Sequence, residues 1–81
     1  MQKIKQKGDL MQKGYLLFFT TASAFEAEIV CKNLNLTFKL TPTPREFSSD
    51  CGIAIYFEVQ NSQILQEALQ EANIEFEMKI L

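Results

Sequence analysis

Leu34-Asn35-Leu36-Thr37-Phe38-Lys39-Leu40 and Ala72-Asn73-Ile74-Glu75-Phe76-Glu77-Met78-Lys79-Ile80 decide the fold. Each stretch leaves a helical pattern through an asparagine, a residue that tolerates the left-handed backbone at a helix end. Each then alternates apolar and polar side chains, the period of a half-buried strand. Leu36, Phe38 and Leu40 alternate with Thr37, Lys39 and Thr41. Ile74, Phe76, Met78 and Ile80 alternate with Glu75, Glu77 and Lys79.

Upstream of each stretch stands the same pair of elements. Tyr15-Leu16-Leu17-Phe18-Phe19 is a short aromatic-rich apolar run suited to a buried strand. Thr20, Thr21 and Ser23 can cap the helix that follows, and Ser23 with Glu26 has capping-box spacing. Ala24, Ala27, Cys31 and Leu34 fall on one face of that helix. In the second half Ile53, Ile55 and Phe57 alternate with Ala54, Tyr56 and Glu58. Asn61 or Ser62 can cap the next helix, whose stripe is Ile64, Leu65, Ala68, Leu69 and Ala72. One βαβ unit is thus written twice. The expected fold is α+β: a ferredoxin-like βαββαβ two-layer sandwich with antiparallel sheet order 4-1-3-2. In that order the end of the first strand, with Thr20, Thr21 and Ser23, shares a sheet edge with the loop between the second and third strands.

The chain has 81 residues and no histidine or tryptophan. Without imidazole, Ser-His and Cys-His nucleophile pairs and every histidine-containing zinc set are excluded. Two cysteines make neither a four-cysteine metal site nor a disulfide framework, and no cofactor is expected. Hydrophobic residues make up 47%, enough for a packed core, yet no apolar run reaches the roughly 18 residues of a membrane helix. The net charge of −2 is unevenly divided. Lys3, Lys5, Lys7 and Lys13 face only Asp9 in residues 1–14, while Lys32, Lys39, Arg45 and Lys79 face nine acids in the remainder. Residues 1–14 read as a basic, poorly ordered extension ahead of one domain over 15–81. The acidic body argues against a nucleic-acid partner, and nothing points to a membrane. The extension lacks the apolar centre of a signal peptide, so a cytoplasmic protein is expected.

The segment between the second and third strands reads Pro42-Thr43-Pro44-Arg45-Glu46-Phe47-Ser48-Ser49-Asp50-Cys51-Gly52. A tight hairpin needs two to five loop residues. This one holds both prolines, the only arginine and one of the two cysteines of the chain. Prolines stiffen a loop, and Gly52 lets a reactant approach beside the sulfur. An ordinary cysteine ionises near pH 8.5, and a nearby cation or helix N-terminus lowers that value. Arg45 and the first helix's N-terminus can act so on Cys51, with the hydroxyls of Thr43, Ser48 and Ser49 as hydrogen-bond donors; Glu46 and Asp50 oppose them. A thiolate without histidine is not set up for hydrolysis, but it can accept and pass on sulfur or selenium. Cys31, on the helix with Ala27, reads as a core thiol. It lies about eight residues into the helix, roughly 12 Å from the loop edge at 1.5 Å per residue. That is beyond the reach of a disulfide to Cys51.

Pro42-Thr43-Pro44-Arg45, Ser48-Ser49 and Cys51-Gly52-Ile53-Ala54-Ile55, with Phe19-Thr20-Thr21 and Ala27-Glu28, resemble the signature of the Putative selenium/sulfur carrier protein-like family of small bacterial domains. The resemblance runs from about Tyr15 to Ile80. It implies a compact two-layer domain and a carrier role for sulfur or selenium on Cys51, as persulfide or selenosulfide, rather than a turnover enzyme. It also implies association with a TusA-like sulfur-relay or selenium-metabolism protein. Arg45, Cys51 and Gly52 carry over by motif, framed by Pro42, Pro44 and Ser48. The sequence departs from the pattern at Asn35, where glycine is common, at Asp50 before the cysteine, and in the basic extension.

Two other readings use different residues. A non-catalytic interaction module, as homodimer or adaptor, would use the sheet face left open by the helices: Thr37, Lys39, Tyr56, Glu58, Glu75, Glu77 and Lys79, with alternate residues of 15–19. Phe25 and Ile29 form a further apolar pair off the main helix stripe. A small regulatory domain would use an anion pocket at Arg45.

Overall fold

The computed structural model describes residues 11–47 and 52–81. Among these the chain forms β1 (Gln12–Phe18), α1 (Thr21–Asn33), β2 (Thr37–Pro42), β3 (Ile53–Val59), α2 (Ser62–Glu71) and β4 (Phe76–Ile80). The fold is α+β, with a four-stranded antiparallel sheet in the order β2-β3-β1-β4. This is the expected 4-1-3-2 order counted from the opposite edge.

Both helices end as their asparagines predict. Asn35 and Asn73 take φ of 57° and 59°. The N–H of Leu36 donates to the Cys31 carbonyl and that of Asn35 to Lys32; Ile74 and Asn73 do the same to Leu69 and Gln70. Two such bonds around a left-handed residue satisfy carbonyls that a helix end would otherwise leave bare, so the turn is built locally and twice. Asn61 caps α2, accepting from the Gln63 N–H at 2.9 Å. At α1 the cap is Thr20 rather than Ser23. Its Oγ1 accepts from the Ser23 N–H at 3.1 Å, so the expected Ser23–Glu26 capping box gives way to a cap, and a helix start, three residues earlier.

The core lies between the helices and one sheet face. Leu16, Phe18, Ile55, Phe57 and Val59 from the sheet meet Ala24, Ala27 and Cys31 of α1 and Leu65 and Leu69 of α2. Four members of the expected helix stripes are outside it: Ala68 is half-buried, Ala72 is exposed at the end of α2, and the two large ones are exposed as well. Leu34 ends α1 at 37% exposure, and Ile64, at 55%, sits on the outer flank of α2.

β1 begins at Gln12, three residues before the apolar run that starts at Tyr15. The extra residues each have work to do. The Gln12 Oε1 accepts from the Ser62 N–H at 2.8 Å, adding a second acceptor at the start of α2. The Lys13 carbonyl accepts from the Leu81 N–H at 2.8 Å. Gly14 is buried where any Cβ would collide with the Lys79 carbonyl oxygen and crowd the Phe57 ring.

Candidate functional site: the loop between β2 and β3

The register fixes where the loop starts. β2 and β3 pair up to Pro42 opposite Ile53, and the Thr43 N–H to Gly52 carbonyl bond of 3.0 Å adds one rung beyond. Pro42 costs the sheet little there, because β2 is an edge strand and proline is tolerated on an edge. The chain then turns at once. The Phe47 N–H donates to the Pro44 carbonyl at 3.0 Å, which puts Arg45 and Glu46 at the corners of a β-turn.

That turn sends the loop back over the sheet. Phe47 packs on Tyr15, with ring centroids 5.6 Å apart, and Tyr15 packs in turn on Tyr56 at 5.4 Å. Tyr15 and Tyr56 are directly opposed in the ladder, on the face away from the helices. To reach Tyr15 from Pro42 the chain must pass the preceding row, Thr41, Ala54 and Leu17. This accounts for Leu17 at 3% and Ala54 at 0% exposure on a face with no helix. The open face predicted from alternation is therefore the correct face, but its apolar centre is covered by the loop. The sequence holds a signal for this: Tyr15, Leu17, Ala54 and Tyr56 form an apolar outer patch, and Phe47 is the loop's one aromatic residue.

The expected site residues fall into three groups. Pro42, Thr43, Pro44, Arg45 and Gly52 are brought together at the end of the sheet where β1 leads into α1. Thr20, Thr21 and Ser23 stand at that same end, where Leu17 of β1 pairs with Ala54 of β3. The hydroxyls of Thr20 and Ser23 are engaged with each other at 3.0 Å as part of the helix cap. Ser48, Ser49 and Cys51, together with Asp50, lie outside the described residues, as do residues 1–10 of the basic extension.

The electrostatics of the described residues are simple. Arg45 is exposed and has no ion-pair partner among the described residues. The first turn of α1 carries no acidic side chain, so the positive end of its dipole is not offset from within the helix. Gly52 contrasts with Gly14. A Cβ at Gly52 would meet nothing within 4 Å, and its backbone is not left-handed. The fold thus does not require glycine at Gly52. Tyr56 ionises above its ordinary value, through desolvation first and then the hydrogen bond its hydroxyl donates to Glu58 at 3.0 Å.

Cys31 is the opposite of a reactive thiol. It is free, 0% exposed, and pushed up to about 11, by burial first and by the Glu28 charge second. No group of three or more His, Cys, Asp or Glu side chains among the described residues is placed to hold a metal ion. No described helix is long and apolar enough to cross a membrane.

A family model described as Putative Se/S carrier protein-like matches residues 13–79. The chain belongs to that family. The match begins at the second residue of β1 and ends at the penultimate residue of β4, so both helices, β2, β3 and all but one residue of each of β1 and β4 of this Se/S carrier protein-like chain are family sequence. Neither the curated proteins nor the solved structures gave a match.

Proposed function

We propose that this chain is a sulfur or selenium carrier that uses Cys51 as its acceptor thiol. The observation that carries the reading is the contrast between its two cysteines, in a chain of this family. Cys31 is sealed in the core and held protonated, which leaves Cys51 for any thiol chemistry. The βαββαβ order and the β2-β3-β1-β4 sheet support reading the frame as a ferredoxin-like sandwich. Arg45, without an ion-pair partner among the described residues, and the N-terminus of α1, whose first turn holds no acidic side chain, favour the thiolate. A glycine the fold does not need, next to the cysteine, leaves an approach for a donor.

The transfer step is a displacement at sulfur. The Cys51 thiolate attacks the terminal sulfur of a donor persulfide. A new S–S bond forms, the donor's S–S bond breaks, and its electron pair leaves on the donor thiolate. Cys51 then carries a persulfide. An acceptor thiolate attacks that terminal sulfur in the same way and releases Cys51. A selenium atom would travel by the same displacement as a selenosulfide. Neither half needs an outside oxidant or reductant, so the protein carries and does not turn over. A TusA-like relay protein in the cytoplasm has the chemistry to serve as donor or acceptor.

The test is intact-mass measurement after incubation with a cysteine desulfurase and cysteine. One added sulfur per chain, retained in Cys31→Ser and lost in Cys51→Ser, is expected. An adduct that survives Cys51→Ser contradicts the assignment.

A further inference from the structure

We propose that β4 is a pairing edge for a second copy of this chain, joining two four-stranded sheets through antiparallel β4–β4 contact centred on Met78. The inference is independent of the thiol chemistry.

β4 closes one side of the sheet, with β1 as its only neighbour among the described residues. The Leu81 N–H reaches β1 at Lys13, and the Lys79 carbonyl lies against Gly14 of β1. Odd-numbered residues of this strand therefore direct their backbone groups inward. Those of Phe76, Met78 and Ile80 point out, since backbone direction alternates along a strand. An outward row of this kind is a template for another strand unless it is blocked. Here the described edge has no proline and no bulge. Besides Glu77 and Lys79 it exposes apolar side chains: Ile80 is 49% exposed, Leu81 67%, and Phe19, beside the start of β4, 53%. A groove of about 620 Å³ runs along it, between Gln66 and Gln70 of α2 and Phe76, Met78 and Ile80.

The charges select the occupant and the register. A two-fold axis through Met78 pairs Met78 with Met78, and Phe76 with Ile80 of the second copy. All of these have outward-pointing backbone groups, so each pair exchanges both hydrogen bonds. On the opposite face the same register sets Glu77 against Lys79 of the second copy, twice. These sit in the closer, non-hydrogen-bonded pairs, where opposite charge is favourable. Shifting the axis to Glu77 or to Lys79 puts like charges face to face. Within one copy Lys79 and Glu77 already meet at 3.0 Å, with side chains 40% and 57% exposed, so pairing closes a ring of four alternating charges. Of the axes through Glu77, Met78 and Lys79, only the one through Met78 sets no like charges against each other.

Sedimentation or light scattering of the full chain at about 100 μM tests this, since association is a concentration effect. A dimer is expected. Glu77→Lys and Lys79→Glu should each weaken association at least about tenfold, and the double exchange Glu77→Lys with Lys79→Glu should restore it. Met78→Pro removes an outward N–H without touching the bonds to β1, and should give a monomer with unchanged circular dichroism. If that variant fails to fold, the charge exchange decides alone. A monomeric wild-type chain, single charge variants that associate as the wild type does, or a double exchange that does not recover association would each overturn the proposal.

Discussion

Phe47 lies across Tyr15, the two rings inclined at 56°, and through this contact the loop between β2 and β3 is fastened to the middle of the sheet. The fastening point is on β1, two strands away from the β2 edge where the loop begins.

If Phe47 is the fastener, Phe47→Ala should cost about 1–2 kcal/mol, from the lost ring contact and the apolar area uncovered. It should also expose Leu17 and Ala54. Urea unfolding gives the first quantity, and binding of a hydrophobic dye reports the second. Phe47→Tyr, which keeps the ring, should behave like the wild type. An unchanged urea midpoint for Phe47→Ala would show that the loop is held by something else.

Much of this architecture is legible in the sequence because it is local. Asn35 and Asn73 announce the helix ends, and period-two alternation assigns the faces of β2, β3 and β4; β1, apolar at every position from Tyr15 to Phe19, carries no alternation, and its core face is seen only in the burial of Leu16 and Phe18 against the helices. The placement of Phe47 is only half legible: the apolar outer patch and the loop's one aromatic residue stand in the sequence, but a single aromatic residue in a loop has no periodicity to say what it covers. The start of β1 at Gln12 was hidden for a similar reason. Gln12 and Lys13 are polar, and their role is backbone pairing and a cap on α2, which composition does not record. For the site itself, the loop, its arginine and the core position of Cys31 are all legible in the sequence, the last because Cys31 shares a helix face with Ala24 and Ala27, and its burial bears that reading out.

The two glycines of the sheet should respond oppositely to alanine. At Gly14 the added methyl meets the Lys79 carbonyl and the Phe57 ring. Backbone cannot yield as a side-chain tip does, so a loss of about 2–3 kcal/mol is expected. At Gly52 there is free space, and alanine should stay within about 0.5 kcal/mol of the wild type while slowing sulfur loading. Paired denaturation and loading assays measure both; comparable stability losses at the two positions would refute the distinction.

The helix-ending asparagines make a prediction through their positive φ. Asn35→Ala and Asn73→Ala should each cost about 1 kcal/mol, because a Cβ-bearing residue without a short polar side chain is strained in the left-handed region. Glycine at either position should be neutral or stabilising. Thermal melts of the four variants separate the cases, and an alanine as stable as glycine would count against the strain argument.

Cys31 ties stability to alkaline pH. Its folded value, about 11, lies above the reference value of 9.0. Between the two the unfolded chain gives up the proton and the folded chain keeps it. Stability is therefore full below about pH 9 and falls as pH rises toward 11, by up to about 3 kcal/mol. Cys31→Ala should lose this part of the slope. Unfolding free energies across that range, compared between the two proteins, provide the check; parallel curves would mean Cys31 is not desolvated.

The most direct measurement is the rate of thiol alkylation against pH in the native protein, resolved by residue. Cys51 should react fast, with its half-maximal rate at a pH below the roughly 8.5 of an ordinary cysteine, and Cys31 only on unfolding. Arg45→Ala should move the Cys51 midpoint upward and leave stability unchanged. A Cys51 that reacts at or above the ordinary midpoint, or no faster than Cys31, would contradict the carrier assignment.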